Sequence, residues 1–358
     1  MQKGIDLLGG AGEFAAPGEK ILLKPNWIMA VPPENCATTH PAIFKAVCEI
    51  FSAAGADLCY GDSPGRGTTE EEHLEAARAT GFLDVGVELG IPIADFLNGR
   101  EINTGTQTFF VANGALDCDG IFSLPKLKTH GFLKMTGCVK NQFGCVPGLL
   151  KGEFHVKLPD REQFARMLVD LNLCLKPRLY VLDGIMAMEG NGPRGGNPHK
   201  LGLLAMSTDP VALDAVACRI CRINPYNIPT IYLGEEMGLG TAKPEEMELL
   251  GDPLDKWKNI KFNAANARKI PSAAGSLRNH LVAKPYIEAQ KCVNCNVCIE
   301  MCPVSPTAVF ESEQENQIPK FDYKRCIRCY CCQEVCPEGA IKLKTPWLGK
   351  ITRLSRGS

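Results

Sequence analysis

Eight cysteines in the last fifth of the chain constrain it more than any other feature. Cys292, Cys295, Cys298 and Cys302 follow C-x-x-C-x-x-C-x-x-x-C with Pro303 next, and Cys326, Cys329, Cys332 and Cys336 repeat the pattern with Pro337 next. Three thiolates two residues apart wrap one face of a cubane, while a fourth, after a longer step into proline, is aimed elsewhere. The spacing therefore predicts two four-iron four-sulfur clusters. Structural zinc also uses C-x-x-C pairs, but zinc needs four ligands and leaves the two tandem, proline-closed halves unexplained. The whole chain holds 18 cysteines, nine of them between Cys292 and Cys336 and nine scattered before. Met1 to Gly12 shows no basic flank, long apolar run or small-residue cleavage site, so no export signal is expected. In a cytoplasmic chain, the expectation here, such a cysteine count points to metal or redox chemistry rather than disulfides.

The 358 residues suffice for two domains, with 45% hydrophobic and 22% charged residues in the range of globular proteins. A net charge of −1 argues against a protein held to nucleic acid by bulk charge. No apolar run of about 18 residues exists, so no membrane span is expected.

Before the cysteine-rich unit, β-rich runs alternate with helical stretches. Strands are expected at Lys20 to Leu23, Leu58 to Tyr60, Ile91 to Phe96, Thr108 to Val111, Ile121 to Leu124, Leu179 to Leu182 and Leu201 to Ala205. Helices are expected after His40, with Pro41 in the first turn, and over Glu70 to Thr80, Arg161 to Leu175 and Pro210 to Cys221. Strand then helix, repeated, predicts an α/β domain with a mostly parallel or mixed sheet sandwiched by helices, followed by a small α+β domain around the cysteines. The boundaries fall at 1–262 for the α/β domain, 263–285 for a linker, 286–345 for the cysteine domain and 346–358 for a basic tail. Basic residues Arg268, Lys269, Arg278 and Lys284 of the linker are expected to steady the negatively charged module.

Charged and polar residues of the first domain fall just after expected strands: Lys24-Pro25-Asn26, Asp62-Ser63, Lys126-Leu127-Lys128-Thr129-His130, Asp183 and Ser207-Thr208-Asp209. Ligands of open α/β sheets bind outside the carboxyl ends of the strands. Lys24, Asn26, Lys126, Lys128 and Arg194 are thus candidate anion-binding residues, with Lys134, Lys140, Asn141, Lys151, His155 and Lys157 as a second basic cluster. Lys126, Lys128, His130 and Lys140 are candidates for holding a reacting anion, and Asp183 or His155 for moving protons. Ordinary surface lysines are the competing reading for any one of these positions. Gly190 to Gly195 fits G-x-G-x-x-G but follows Asp183 by seven residues, contains Pro193 and leads into Asn197-Pro198. A mobile loop carrying Arg194 over the crevice fits better than a dinucleotide site. His199 is as compatible with a structural role as with a functional one. Cys138 and Cys145, seven apart, leave room for a third metal centre, and a flavin is the other cofactor that would mark this domain as catalytic.

The C-terminal segment resembles the two-cluster ferredoxins over roughly residues 286–345, with a longer connection from Val304 to Arg325 and a spare thiol at Cys331. In such proteins the fourth cysteine of each run ligates the other cluster. The resemblance implies Cys292, Cys295, Cys298 and Cys336 for one cluster, and Cys326, Cys329, Cys332 and Cys302 for the other. The first domain, through Leu23-Lys24-Pro25-Asn26-Trp27, Thr38-Thr39-His40-Pro41, Gly61-Asp62-Ser63-Pro64-Gly65, Leu124 to His130, Lys140 to Gly144, Asp183 to Pro193 and Asp209 to Asp214, is similar to the domain of unknown function 362 family. Those motifs span roughly residues 5–255 in the family's order. Relatives usually carry a strand and helix before the Lys-Pro-Asn motif, whereas this chain opens at Met1-Gln2-Lys3-Gly4, which leaves the strand count open. The resemblance implies an iron–sulfur protein of anaerobic metabolism. Two readings follow: a redox enzyme whose clusters serve an anionic substrate or cofactor in the α/β domain, or an electron-transfer adaptor whose α/β domain binds a redox partner or effector without chemistry.

Overall fold

Ile21 and Leu23 pack into one hydrophobic cluster and Leu22, between them, into another, all three without exposure. A strand buried on both faces needs cover on both sides. The computed structural model describes residues 1–65, 68–264, 278–312 and 317–349. Its strands are β1 (Lys20–Pro25), β2 (Asp57–Tyr60), β3 (Gly99–Asn103), β4 (Thr108–Ala112), β5 (Gly120–Leu124), β6 (Lys126–His130), β7 (Lys134–Thr136), β8 (Leu179–Glu189) and β9 (Asn197–Ser207). All except β3 and β4 form one seven-stranded mixed sheet. β2, β1, β5 and β8 run parallel. Beyond Pro125 the chain resumes as β6, still parallel to β8, while β9 and β7 pair antiparallel on β8 and β6. Helices Pro41–Ala53, Glu70–Ala79 and Phe82–Leu89 cover one face; Arg161–Leu175, Pro210–Ile220 and Pro229–Glu236 cover the other.

The helix starts follow local chemistry. Thr69 and Glu72 form a reciprocal capping box, and Asp160 and Asp209 accept backbone N–H bonds ahead of their helices. Two strand expectations are corrected, and the expected strand at Thr108 is present. Residues Ile91 to Phe96 make only a single bridge, Ile93 to Tyr60. Thr108–Ala112 pairs with β3 in a hairpin outside the main sheet. The Lys126 to His130 stretch is itself a strand, because Pro125 still accepts from Asp183 N at 2.8 Å and the ladder continues past it.

β1 sits between β2 and β5, so the chain departs to opposite sides from this point, and a crevice opens at the carboxyl ends of β1 and β5. Two ion pairs seal its walls. Lys24 Nζ lies 2.8 Å from Asp62 Oδ1, and Lys126 Nζ 2.8 Å from Asp183 Oδ2. Both lysines are within 1% of complete burial. Asp62 also accepts from Trp27 N and Ser63 N, and Asp183 from His40 N at 2.9 Å. Gly144 crosses so close to the first pair that a Cβ there would run into Asp62 Oδ1.

The second domain begins at β10 (Lys284–Ile287), which pairs antiparallel with β13 (Ile341–Lys344) around the short pair β11 (Val309–Phe310) and β12 (Lys320–Phe321). Lys284 stacks its ammonium over Tyr323, 5.0 Å from the ring centre. Arg278 opens the short helix Arg278–Leu281, while Arg268, Lys269 and tail residues 350–358 lie outside the described residues.

Breaking one buried pair leaves an uncompensated charge. Asp62→Ala should destabilise the protein by about 3–5 kcal/mol, read as a lower urea midpoint under anaerobic conditions. Combining it with Lys24→Met should recover a large part of that loss; strictly additive effects would show that the pair is not coupled.

Candidate functional site

The cations of the carboxyl edge divide by partner. Lys24 and Lys126, candidate anion-binding residues, are each paired with a buried carboxylate, Asp62 and Asp183, and Asp183, a candidate for moving protons, lies in the second of these pairs. Lys128, 1% exposed, donates to Asn26 Oδ1 at 2.7 Å and to Ala37 O at 2.5 Å. Burial, with repulsion from Lys140, pushes its ammonium well below the usual lysine range. Asn26 in turn donates to Asn141 Oδ1 at 3.0 Å, and Asn141 donates to Ser123 Oγ at 2.9 Å and Lys24 O at 3.2 Å. The Lys-Pro-Asn and Lys-Asn motifs, 115 residues apart, thus form one network.

His130 Nδ1 accepts from Phe132 N and Leu133 N at 3.0 and 3.2 Å. That leaves the proton on Nε2, which lies 2.9 Å from Glu334 Oε1 of the second domain. Burial, then Lys140, lowers His130 to about 4. Burial also favours protonation of Glu334, but His130 and Lys140 outweigh it and keep the carboxylate ionised. His130 is therefore a neutral donor facing an anion. His155 stacks on Phe164 at 4.3 Å between ring centres, and burial pushes it down to about 3. Lys151 donates to Ser63 O, Ser63 Oγ and Val146 O, and burial brings it to about 7. Lys157 is exposed beside Glu153, Lys134 is buried, and His199 contacts Glu189 at 3.1 Å. Cys138 and Cys145 are fully buried, and burial pushes both thiols up, Cys145 to about 12, as suits neutral core cysteines.

In the second domain the two cysteine runs repeat a local geometry. Asn294 and Asn296 in the first run, and Arg328 and Tyr330 in the second, hold positive φ of 52°, 57°, 66° and 66° at matching offsets. Left-handed residues at these points turn successive thiols inward. Cys292, Cys295, Cys298 and Cys336 line one small cavity with Ile287 and Ile341. Cys298 has Cys336, Cys295 and Cys292 as thiol neighbours, and Cys332 has Cys329, Cys326, Cys298 and Cys302. This soft, apolar-walled donor set fits cubane clusters, with the fourth cysteine of each run beside the other run's thiols.

The two domains meet along the Gly-rich loop. Arg194 Nη1 and Nη2 donate to Cys336 O and Pro337 O, Gln333 Nε2 to Asn191 Oδ1 at 2.9 Å, and Lys342 Nζ to Gly195 O at 3.1 Å. The loop carrying Arg194, a candidate anion-binding residue, also forms a docking seam, with the guanidinium donating to carbonyls of the module. Only glycine fits at Gly192, where a Cβ would meet Thr129 O. Glu334, Gln333 and Asn191 were missed by sequence reasoning; nothing in their spacing marks them.

Docking leaves a half-open cavity of about 650 Å³ between the carboxyl edge and the module. Lys128, Lys140, Lys151 and His155 contribute from the α/β side; Cys302, Cys331 and Glu334 contribute from the module. Cys331, a spare thiol by spacing, is a wall residue here. Among the described residues no helix is long and apolar enough to cross a membrane.

Fold and cysteine geometry define an α/β protein joined to an iron–sulfur domain. Residues 291–340 match the model described as 4Fe-4S dicluster domain, and residues 21–219 match Domain of unknown function (DUF362). The chain belongs to the DUF362 family. It is 39% identical over 262 residues to Thylakoid-associated protein sll1697 of Synechocystis sp., covering 71% of this chain and 80% of that protein. A crystal structure of a Thermotoga maritima protein is similar at 13% identity with a TM-score of 0.35, covering 66% of this chain and 58% of that one. Nothing further rests on that likeness.

Buried neutral histidines make the α/β domain acid-sensitive. A histidine whose folded value is depressed contributes full stability above its unfolded value, near 6.5, and loses it as pH falls toward the folded value. Wild-type stability should therefore decline from about pH 6.5 downward. His155→Phe, which keeps the stack on Phe164, should remove about 2–3 kcal/mol of that sensitivity by about pH 4.5. Parallel urea midpoints of the two proteins across this range would contradict the assignment.

Proposed function

We propose that this chain is an iron–sulfur redox protein that passes electrons from two 4Fe-4S clusters to an anionic substrate or cofactor held in the interdomain cavity. The observation that carries this reading is the shared wall: Cys302, a ligand of the second cluster in the crossed assignment, lines the same cavity as Lys128 and Lys140. When bound, each cluster takes up and gives up single electrons. The chain's own residues do the rest. Lys140 attracts the anion, the docked module covers one side of the crevice, and His155, held neutral by burial, lines the site beside the bound molecule. His130 and Glu334 hold the module against the cavity. Crossed ligation is supported by Cys336 beside Cys298 and by Cys302 beside Cys332. The adaptor remains the alternative outcome of cofactor analysis: two clusters with no response of their redox behaviour to any cavity ligand.

Anaerobically purified protein should carry about eight irons and eight sulfides per chain; four or fewer irons after full reconstitution would overturn the two-cluster reading. Cys302→Ala should reproduce the spectroscopic loss caused by Cys329→Ala and not that caused by Cys295→Ala. The opposite match would show that each run holds its own cluster.

A further inference from the structure

The interdomain cavity has two unlike walls. On one, the short helix Cys138–Asn141 presents Lys140, half-buried and without a hydrogen-bond or ion-pair partner among the described residues. The backbone carrying it is held from three sides. Asp214 accepts from Cys138 N at 2.7 Å and Val139 N at 3.2 Å, Asn172 donates to Val139 O at 2.8 Å, and Asn141 is fixed by Ser123. A completely buried carboxylate and two buried amides thus serve to immobilise the segment that carries one unpaired ammonium. The neighbouring cavity cations are already engaged, Lys128 with Asn26 and Ala37 O and Lys151 with Ser63 and Val146 O.

The rest of the lining is largely apolar. Leu149 and Val156, 56% and 46% exposed, line it beside Leu150, with Met301 and Pro303 contributed by the module. Large aliphatic side chains left uncovered in a concave site are a surface that an apolar ligand body would bury. A bare inorganic anion would use Lys140 and leave this wall wet; a neutral apolar molecule would use the wall and leave the ammonium unpaired.

We propose that the cavity binds an amphipathic organic anion, one acidic head group on an apolar body, with the head on Lys140 and the body between Leu149, Leu150 and Val156 and the Met301–Pro303 edge of the module. This rests on reading the cavity as the substrate site, and it adds the chemical class of what enters. The body then lies against the module edge that includes Cys302, which puts the apolar part of the ligand next to the cluster-bearing domain. Preorganisation of Lys140 favours binding because little ordering is left to do when the anion arrives.

Calorimetry or equilibrium dialysis on the oxidised, fully loaded protein tests the class, with 2-naphthoate and dodecanoate as probes and 2-naphthalenemethanol, acetate and inorganic phosphate as comparisons. At least one amphipathic probe should bind at one site per chain, at least about tenfold tighter than either its neutral or its bodiless comparison. Lys140→Met should lower its affinity about tenfold or more while leaving 2-naphthalenemethanol unchanged, which also shows that the cavity is intact. Val156→Asp should weaken the probe and 2-naphthalenemethanol alike. Failure of both probes to bind below about 1 mM, equal binding of acetate or phosphate, or an unchanged Lys140→Met variant would each overturn the proposal. No electron donor is present in these measurements. A protein that binds the probe but shows no ligand-dependent redox behaviour would therefore sink the electron-delivery reading alone.

Discussion

Everything at the carboxyl edge depends on lysines that the fold buries completely. An ammonium taken out of water is tolerated only where a carboxylate or several oxygens replace its hydration. Lys24 and Lys126 meet this condition through Asp62 and Asp183, and those carboxylates are themselves saturated by the backbone N–H groups of Trp27, Ser63 and His40. The two pairs therefore tie β1 to the turn after β2, and β6 to β8. They fix the loops from which Asn26, Asn141 and Lys140 reach the crevice. The same pairing places a carboxylate beside each of Lys24 and Lys126. Positive charge available to a ligand is left to the few cations that face the cavity.

The second constraint is the docking seam. A ferredoxin-type module tethered by a linker could sit anywhere within reach, yet Asn191, Arg194 and Gly195 meet Gln333, the Cys336 and Pro337 carbonyls and Lys342. Tyr330, 3% exposed, joins the main hydrophobic core of the first domain. The polar seam sets orientation and the apolar anchor adds burial. Glu334 then enters beside His130, His155 and Lys140, so the helix carrying Cys332 brings a carboxylate to the cavity wall. The cavity lies between the two docked domains, so residues of the α/β carboxyl edge and of the cysteine module line the same space.

Much of this was legible in the residues alone. The two cysteine runs, the alternation of strands and helices, and the helices at Pro41–Ala53, Arg161–Leu175 and Pro210–Ile220 agree with sequence expectation to within a residue or so. These are local properties: thiol spacing, hydrophobic period and capping chemistry act over a few residues, and the chain states them directly. The clustering of polar motifs at strand ends was legible too, since it follows from the same alternation. Residues Ile91 to Phe96 failed as a strand because an apolar run reports burial, and burial here came from packing against Tyr60 and Phe82 rather than from a ladder.

Partner identity was not legible. Lys24 finds Asp62 across 38 residues, Lys126 finds Asp183 across 57, and Arg194 finds Cys336 across 142. Nothing in the composition around a lysine tells whether it will meet a carboxylate, a carbonyl or a ligand, because that choice is made by strand order and domain docking. The sequence by itself determined the cysteine frame, the α/β alternation and the family. Only the tertiary structure set which of the described cations meet a carboxylate, that Lys140 faces the cavity without a hydrogen-bond or ion-pair partner among the described residues, and that the cysteine module lines the same cavity, because charge pairing in a buried site depends on distances through space that no spacing along the chain encodes.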